Sequence, residues 1–288
     1  MLLDTLSIDK LYVSLCDILG VNREYLDDYI TSNHKKIVES CYDDNTVEFM
    51  DISDLCTCPS SNIKNIDSLI MHHITPRPNE ESIWREGLYT LPNVLTKNTL
   101  LSSHLKKYGL TFSFCDNKVI MKKDDNLIDI SRLSSSNLFV RFGGKGSLDD
   151  FNINGYLFVN EFNLDDIRGW IGSPEILKSL AEAFNNLHIA DSYAEKCENN
   201  YYVSFSAPLD KIDITGFDAN ISLERKTKIL VKYSINALAH TKVKNNRFYT
   251  MHNPIIMLKR SYNVPPCDIK KVWILNMPKY PKIIPIEQ

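Results

Sequence analysis

The chain predicts an α+β fold: a mixed, mostly antiparallel split sheet of short strands with flanking helices, plus a small N-terminal helical module. Three observations carry that prediction. Apolar runs of strand length, separated by polar turns, dominate the second half. Helical spacing of apolar residues is concentrated near the start and in a few capped segments further on. The regular strand–helix alternation of a doubly wound parallel sheet is missing, and no internal repeat is visible.

Taken in order, Ser7 is placed to cap a first helix that carries Leu11, Leu15, Ile18 and Leu19 on one face and stops at Gly20. Asn22 caps a second, with Tyr25, Leu26, Tyr29 and Ile30 on one face. Residues 43–65 are acidic and then polar, as a linker is. A boundary at residue 62 therefore separates an acidic helical module (1–62) from the main domain (63–288). Leu69–Thr75 reads as a strand, with Leu69, Met71, His73 and Thr75 facing one way and Ile70, His72 and Ile74 the other. Asn79–Gly87 reads as a helix with Glu80 and Glu81 in its first turn. Asn98–Tyr108 reads as another, ended by Gly109. Leu110–Cys115 and Lys118–Lys122 form a hairpin about Asp116-Asn117. Strands are expected over 137–142 and 155–159, and a helix from Ser173-Pro174-Glu175 to Ala183. Further strands are expected over 201–206, 228–233, 255–260 and 271–275.

Composition narrows the function classes. In 288 residues, 43% hydrophobic and 24% charged, disordered and fibrous classes are excluded. No apolar run reaches the length of a membrane span. The opening MLLDTLSIDK places Asp4 where a secretory signal has basic residues, and the seven cysteines are odd in number and scattered, so reduced thiols and a cytoplasmic location are expected. The net charge of −3 conceals an asymmetry: residues 1–60 sum to −8 and residues 211–288 to +9. A basic C-terminal third suits an anionic ligand, such as a dinucleotide or nucleic acid, and a solvated face is the plain alternative. Residues 11–31 have helix-turn-helix spacing, but Glu24, Asp27 and Asp28 would be repelled by phosphates. A packing or partner-binding role, with a regulatory protein as the possible partner, is the expectation there.

Several chemistries lack their motifs: HExxH, GxSxG and Cys-x-x-Cys do not occur. Cys56-Thr-Cys58 with His72-His73 has zinc-ligand residue types but not a finger's spacing, so no metal is expected. GGKGS at 143–147 lacks phosphate-loop spacing and reads as a turn, with Arg141 before it and Asp149 and Asp150 after it leaving a ligand loop open. The informative stretch is IMHHITPRPNEESIWREGL, residues 70–88. It presents an imidazole and a hydroxyl at a strand end, a geometry that suits a ribose. The competing reading is two adjacent histidines, one satisfied in the core and one exposed.

This stretch resembles the first signature of the ADP-ribosyltransferase-like superfamily, which includes poly-ADP-ribose polymerases, RNA 2′-phosphotransferases and bacterial DNA-modifying toxins. The matching positions are His73, Ile74, Thr75, Asn79, Ile83, Gly87 and Leu88. YYVSFS, with Tyr201, Tyr202, Ser204 and Ser206, is similar to the family's nicotinamide-site strand, and VPPCDIKKVWIL resembles its closing strand. The resemblance implies NAD as a substrate and transfer of ADP-ribose to a macromolecule, nucleic acid favoured over protein, as a toxin or defence effector would do. It implies that His73 and Thr75 hold a ribose, that Tyr202 stacks on nicotinamide, and that Ser204 bonds its amide or the ribose. Arg77, Arg141 and Tyr201 complete the expected cofactor set, with His73 and Tyr202 as the catalytic pair.

One departure bears on activity. Where many family members have a Glu, this chain has Ile255, Ile256 and Met257, and no acid occurs between Glu224 and Asp268. A carboxylate there would stabilise the cation that grows as nicotinamide leaves. Arg247, His252, Lys259 and Arg260 are the basic residues that could replace it. A catalytically inactive nucleotide or nucleic-acid binding module, and an RNA 2′-phosphotransferase-like enzyme using Arg77, Arg141 and Arg260, are the alternatives.

Overall fold

A computed structural model describes residues 1–39, 63–133, 136–143, 151–158, 172–197, 199–243, 253–276 and 282–285. In chain order these form β1 (Leu2–Leu3), α1 (Ile8–Leu19), α2 (Arg23–Glu39), β2 (Ser68–Arg77), α3 (Glu81–Glu86), α4 (Leu91–Thr96) and α5 (Leu100–Lys106). Next come β3 (Leu110–Cys115), β4 (Lys118–Lys123), β5 (Asn126–Leu127), α6 (Ser136–Arg141), β6 (Asn154–Tyr156), α7 (Glu175–Ala183) and α8 (His188–Ala194). The remainder are β7 (Asn199–Pro208), β8 (Ile212–Ile214), α9 (Leu223–Thr241), β9 (Ile255–Leu258), β10 (Ile269–Asn276) and β11 (Lys282–Pro285). The class is α+β, as the sequence predicts. Most of the expected linker, the Cys56/Cys58 pair, residues 144–147 of GGKGS, Arg247 and His252 lie outside the described residues.

Two units divide the chain, and neither is a continuous stretch. The first comprises Met1–His72, Asn154–Asp166 and Ser204–Met257. The acidic N-terminal helices thus share a unit with segments from the middle and end of the chain. Ser7 caps α1 by accepting from the Lys10 N–H, Gly20 ends it with a left-handed turn, and Asn22 Oδ1 accepts from the Tyr25 N–H at 2.8 Å to start α2. β1 runs parallel to β2, pairing Leu2 with Ser68. β6 is antiparallel to β2 at Tyr156 and His72, and antiparallel to β9 from Asn154 opposite Met257 to Tyr156 opposite Ile255. Asn253 ties down the chain after β6: its Oδ1 accepts from the Phe158 N–H and its Nδ2 donates to the Phe158 carbonyl, both at 2.9 Å.

The strand expected over 228–233 is instead part of α9, 19 residues long. Ser222 caps it and Glu224 pairs with Lys228 one turn on, at 2.6 Å. Ile229, Leu230, Val231, Ile235 and Leu238 are all buried, whereas Leu223, Glu224, Arg225 and Lys228 in its first turns are exposed, and α2 packs against it. Between Ile229 and His240 no residue of α9 is exposed, so polar contrast is weak there, and its Ile and Val then read as strand formers. Burial of that stretch outweighs the weak preference.

The second unit comprises His73–Ile153, Ile167–Val203 and Leu258–Gln288. Its core joins Leu105 and Leu101 of α5, Val119 and Met121 of β4, Leu138 of α6, Leu177 and Leu180 of α7 and Ile189 and Tyr193 of α8. β3 and β4 form the expected hairpin, and Asp116 and Asn117 take the two positive φ angles, 50° and 58°, that a tight two-residue turn needs. Gly87 ends α3 at φ 70°, where a side chain would collide with the Val264 carbonyl oxygen. Leu88 bridges to Val264 there. The strand expected over 137–142 is the helix α6. Leu138 and Phe142, one helical turn apart, both enter the core, and so short an apolar run has no decisive period. The helix expected over 98–108 is shorter, α5, with Thr99 and Ser102 forming a reciprocal capping box.

Candidate functional site

The two adjacent histidines take opposite fates, as alternation along a strand requires. His72, in the first unit, is fully buried. Thr5 Oγ1 donates to the Ile70 carbonyl at 2.9 Å, so the contact at 3.0 Å between Thr5 Oγ1 and His72 Nε2 has the imidazole N–H donating. Nδ1 is then an acceptor, and the Ser204 hydroxyl donates to it at 2.7 Å. Burial pushes the His72 pKa down to about 3, keeping the ring neutral. This hydroxyl–imidazole–hydroxyl chain has the polarity of a catalytic Ser–His pair. Ser204 has no exposed surface, however, so the chain works here as an internal polar clasp.

His73, Thr75 and Arg77 alternate on the other side of β2, in the second unit. His73 is half-buried, while Thr75 and Arg77 are buried. Beyond them lies an open cavity of about 320 Å³, lined by Arg77, Pro78, Asn79, Ser82, Arg85, Glu86, Asn98, Thr99, Leu100 and Ser103. The sequence places these side chains through two short capped turns. Asn79 Oδ1 accepts from the Ser82 N–H at 3.0 Å, which sets the start of α3 and swings Arg85 and Glu86 toward the cavity. The capping box at Thr99 does the same for α5, whose first turn supplies Leu100 and Ser103.

Charge in the cavity is concentrated in three residues. Glu86 Oε1 accepts from Arg85 Nη2 at 2.9 Å, and Glu86 Oε2 stands 3.7 Å from Arg77 Nη1. The Arg77 side chain is 9% exposed, yet its buried Nε has no hydrogen-bond partner among the described residues, nor has buried Glu86 Oε2. Tyr193 and Cys197 feel the Arg77 charge, but burial dominates both. It pushes the Cys197 thiol up to about 11 and the Tyr193 phenol above its ordinary range. Both stay neutral near pH 7 and supply no counter-charge. Two arginines and one carboxylate leave the lining with a surplus positive charge.

Of the expected site residues, Arg77 enters this cavity and His73 and Thr75 stand in its row. Arg141 does not line it: its guanidinium pairs with Glu175 at 2.7 Å. Ser204 is committed to His72. Tyr201 and Tyr202 are each 2% exposed. Sequence reasoning missed Arg85, Glu86, Asn98 and Ser103. The first two lie inside the 70–88 segment, and their signal was adjacency on the last turn of a short helix; nothing local marks the other two. Among the described residues no group of His, Cys, Asp and Glu is arranged to hold a metal, and no helix is long and apolar enough to cross a membrane.

No family model matches the chain, and neither a curated protein nor a solved structure does.

Proposed function

We propose that the chain is an NAD-consuming enzyme of the ADP-ribosyltransferase type that modifies a macromolecule, nucleic acid before protein. The observation that supports this reading best is the row His73, Thr75 and Arg77, which ends in an open cavity holding a second arginine and a carboxylate. His73 and Thr75 offer ring nitrogen and hydroxyl to a ribose, and the two guanidinium groups offer forked donors to a pyrophosphate. A cavity of about 320 Å³ takes one charged fragment of a dinucleotide, so the remainder lies outside it. The basic C-terminal third would attract the nucleic-acid acceptor.

The test is incubation of the protein with labelled NAD and separate pools of RNA, DNA and protein, following label transfer and free nicotinamide. Label should appear on a nucleic-acid pool. Arg85→Ala should cut transfer at least about tenfold while leaving the melting temperature unchanged, since Arg85 is exposed at the rim. Absence of both nicotinamide release and transfer with every pool would overturn the reading. A second reading is favoured by the acid-free stretch between Glu224 and Asp268 and by the engagement of Glu86 with two arginines. It is a nucleotide-binding module without turnover, and saturable NAD binding with no nicotinamide release is its signature.

A further inference from the structure

We propose that the cavity is a seat for a ribose phosphate, the phosphate on Arg77 and Arg85 and a ring hydroxyl on Glu86. The inference names the fragment that the NAD reading puts there and rests on that reading for the cavity's role, but its test is binding alone.

Three features lead to this ligand class. The first is charge. Arg77, Arg85 and Glu86 are the ionised residues of the lining, and they leave one positive charge over, which favours an anionic ligand. The second is the pair of missing bonds. Arg77 Nε is a buried donor without an acceptor, and Glu86 Oε2 is a buried acceptor without a donor. Inorganic phosphate supplies acceptor oxygens but only its own P–OH groups to donate to Glu86 Oε2, and a neutral sugar brings several hydroxyls but leaves the charge. A phosphate ester of a polyol meets both requirements at once. The third is geometry. Arg77 and Glu86 are adjacent, with Nη1 and Oε2 at 3.7 Å, so anionic and hydroxyl groups must sit close together in the ligand, as they do in ribose 5-phosphate. Asn79, Asn98 and Ser103 at the walls add amide and hydroxyl groups suited to the remaining ring oxygens. A phosphate, with three terminal oxygens, can serve two guanidinium forks, which a single carboxylate does less well.

The experiment is calorimetric titration of the full chain with four probes: ribose 5-phosphate, inorganic phosphate, ribose and gluconate. Ribose 5-phosphate should bind at least about tenfold more tightly than inorganic phosphate, and ribose more weakly than either. Glu86→Gln should bring that ratio down to about two or less, with affinity for inorganic phosphate kept or raised because a negative charge is gone. Arg77→Lys, which keeps the charge and removes Nε, should weaken ribose 5-phosphate binding, and Arg85→Ala should weaken both phosphates with the fold intact. Equal affinity for the two phosphates, preference for gluconate, or a ratio unmoved by Glu86→Gln would each overturn the proposal. Selective binding without NAD turnover would leave this inference standing and remove the transferase reading. Turnover with no selectivity among the probes would do the reverse.

Discussion

His72 stabilises its unit only while neutral, and this fixes a pH dependence. Its folded pKa, about 3, lies below the ordinary imidazole value near 6.5, so the unfolded chain binds the extra proton first. Stability is therefore fully present above about pH 6.5 and is lost as the pH falls toward 3, at no more than about 1.4 kcal/mol per pH unit from this residue. His104 adds to the same trend. Burial lowers its pKa too, its Nε2 donates to the Ile189 carbonyl at 2.8 Å and its Nδ1 accepts from Lys196 at 3.0 Å, so protonation would set two cations face to face. Urea midpoints measured from pH 7.5 to 4 should fall steadily in the wild type. The slope should be shallower in His72→Gln, whose amide cannot charge; an unchanged slope would show that other groups dominate. The alternation of β2 told from sequence that the two histidines face opposite ways. It could not tell which side is core, because that depends on Thr5 and Ser204, 67 and 132 residues away in the chain.

At the scale of elements, the ends of helices were the most legible feature. Ser7 with Gly20, Asn22, and Gly87 act as their local chemistry predicts, and Asp116-Asn117 closes its hairpin. The two glycine stops nevertheless differ in consequence. Gly20→Ala meets no neighbouring atom and should cost about 1 kcal/mol, the backbone strain alone. Gly87→Ala adds a collision with the Val264 carbonyl oxygen, and its cost should exceed about 2 kcal/mol. Thermal melts of the two variants side by side would check this ordering, and equal losses would contradict it. Since Gly87 also fixes where Arg85 and Glu86 stand, Gly87→Ala should weaken phosphate binding in the same preparations. The two helices misread as strands, α6 and α9, share a cause: each is short in polar contrast where it was misread, one because it spans six residues and the other because no residue between Ile229 and His240 is exposed.

For the whole molecule, the charge asymmetry sets an acidic N-terminal module apart from a basic C-terminal third. Inside the first unit Asp27 of α2 pairs with Lys242, which follows α9, at 2.7 Å and accepts from the Tyr12 hydroxyl at 2.7 Å. The Lys242 and Tyr12 hydrogen bonds hold the Asp27 carboxyl below its ordinary range. Beneath that contact, α2 packs along α9. A chain lacking residues 1–39 would therefore uncover the side of α9 that meets α2, where Asn236 Nδ2 donates to the Ile37 carbonyl at 3.4 Å. It should lose cooperative unfolding or solubility, not merely gain affinity for anions. A soluble 40–288 fragment that melts as sharply as the intact chain would show that α9 needs no cover.

The sequence by itself determined what rests on neighbours in the chain: the α+β class, the caps and glycine stops, the Asp-Asn hairpin, and the strand carrying His73 and Thr75, which the structure extends to Arg77. These follow from backbone preferences and hydrogen bonds that close within a few residues, so a single sequence contains them. The tertiary structure alone decided that Ser204 belongs to His72, that Arg141 belongs to Glu175, that 223–241 is a helix, and that Arg77, Arg85 and Glu86 share one cavity with Asn98 and Ser103. Each of those depends on burial and charge pairing between segments far apart in the chain, and the free energy of such contacts is set by who is excluded from water together, which spacing along one strand does not encode.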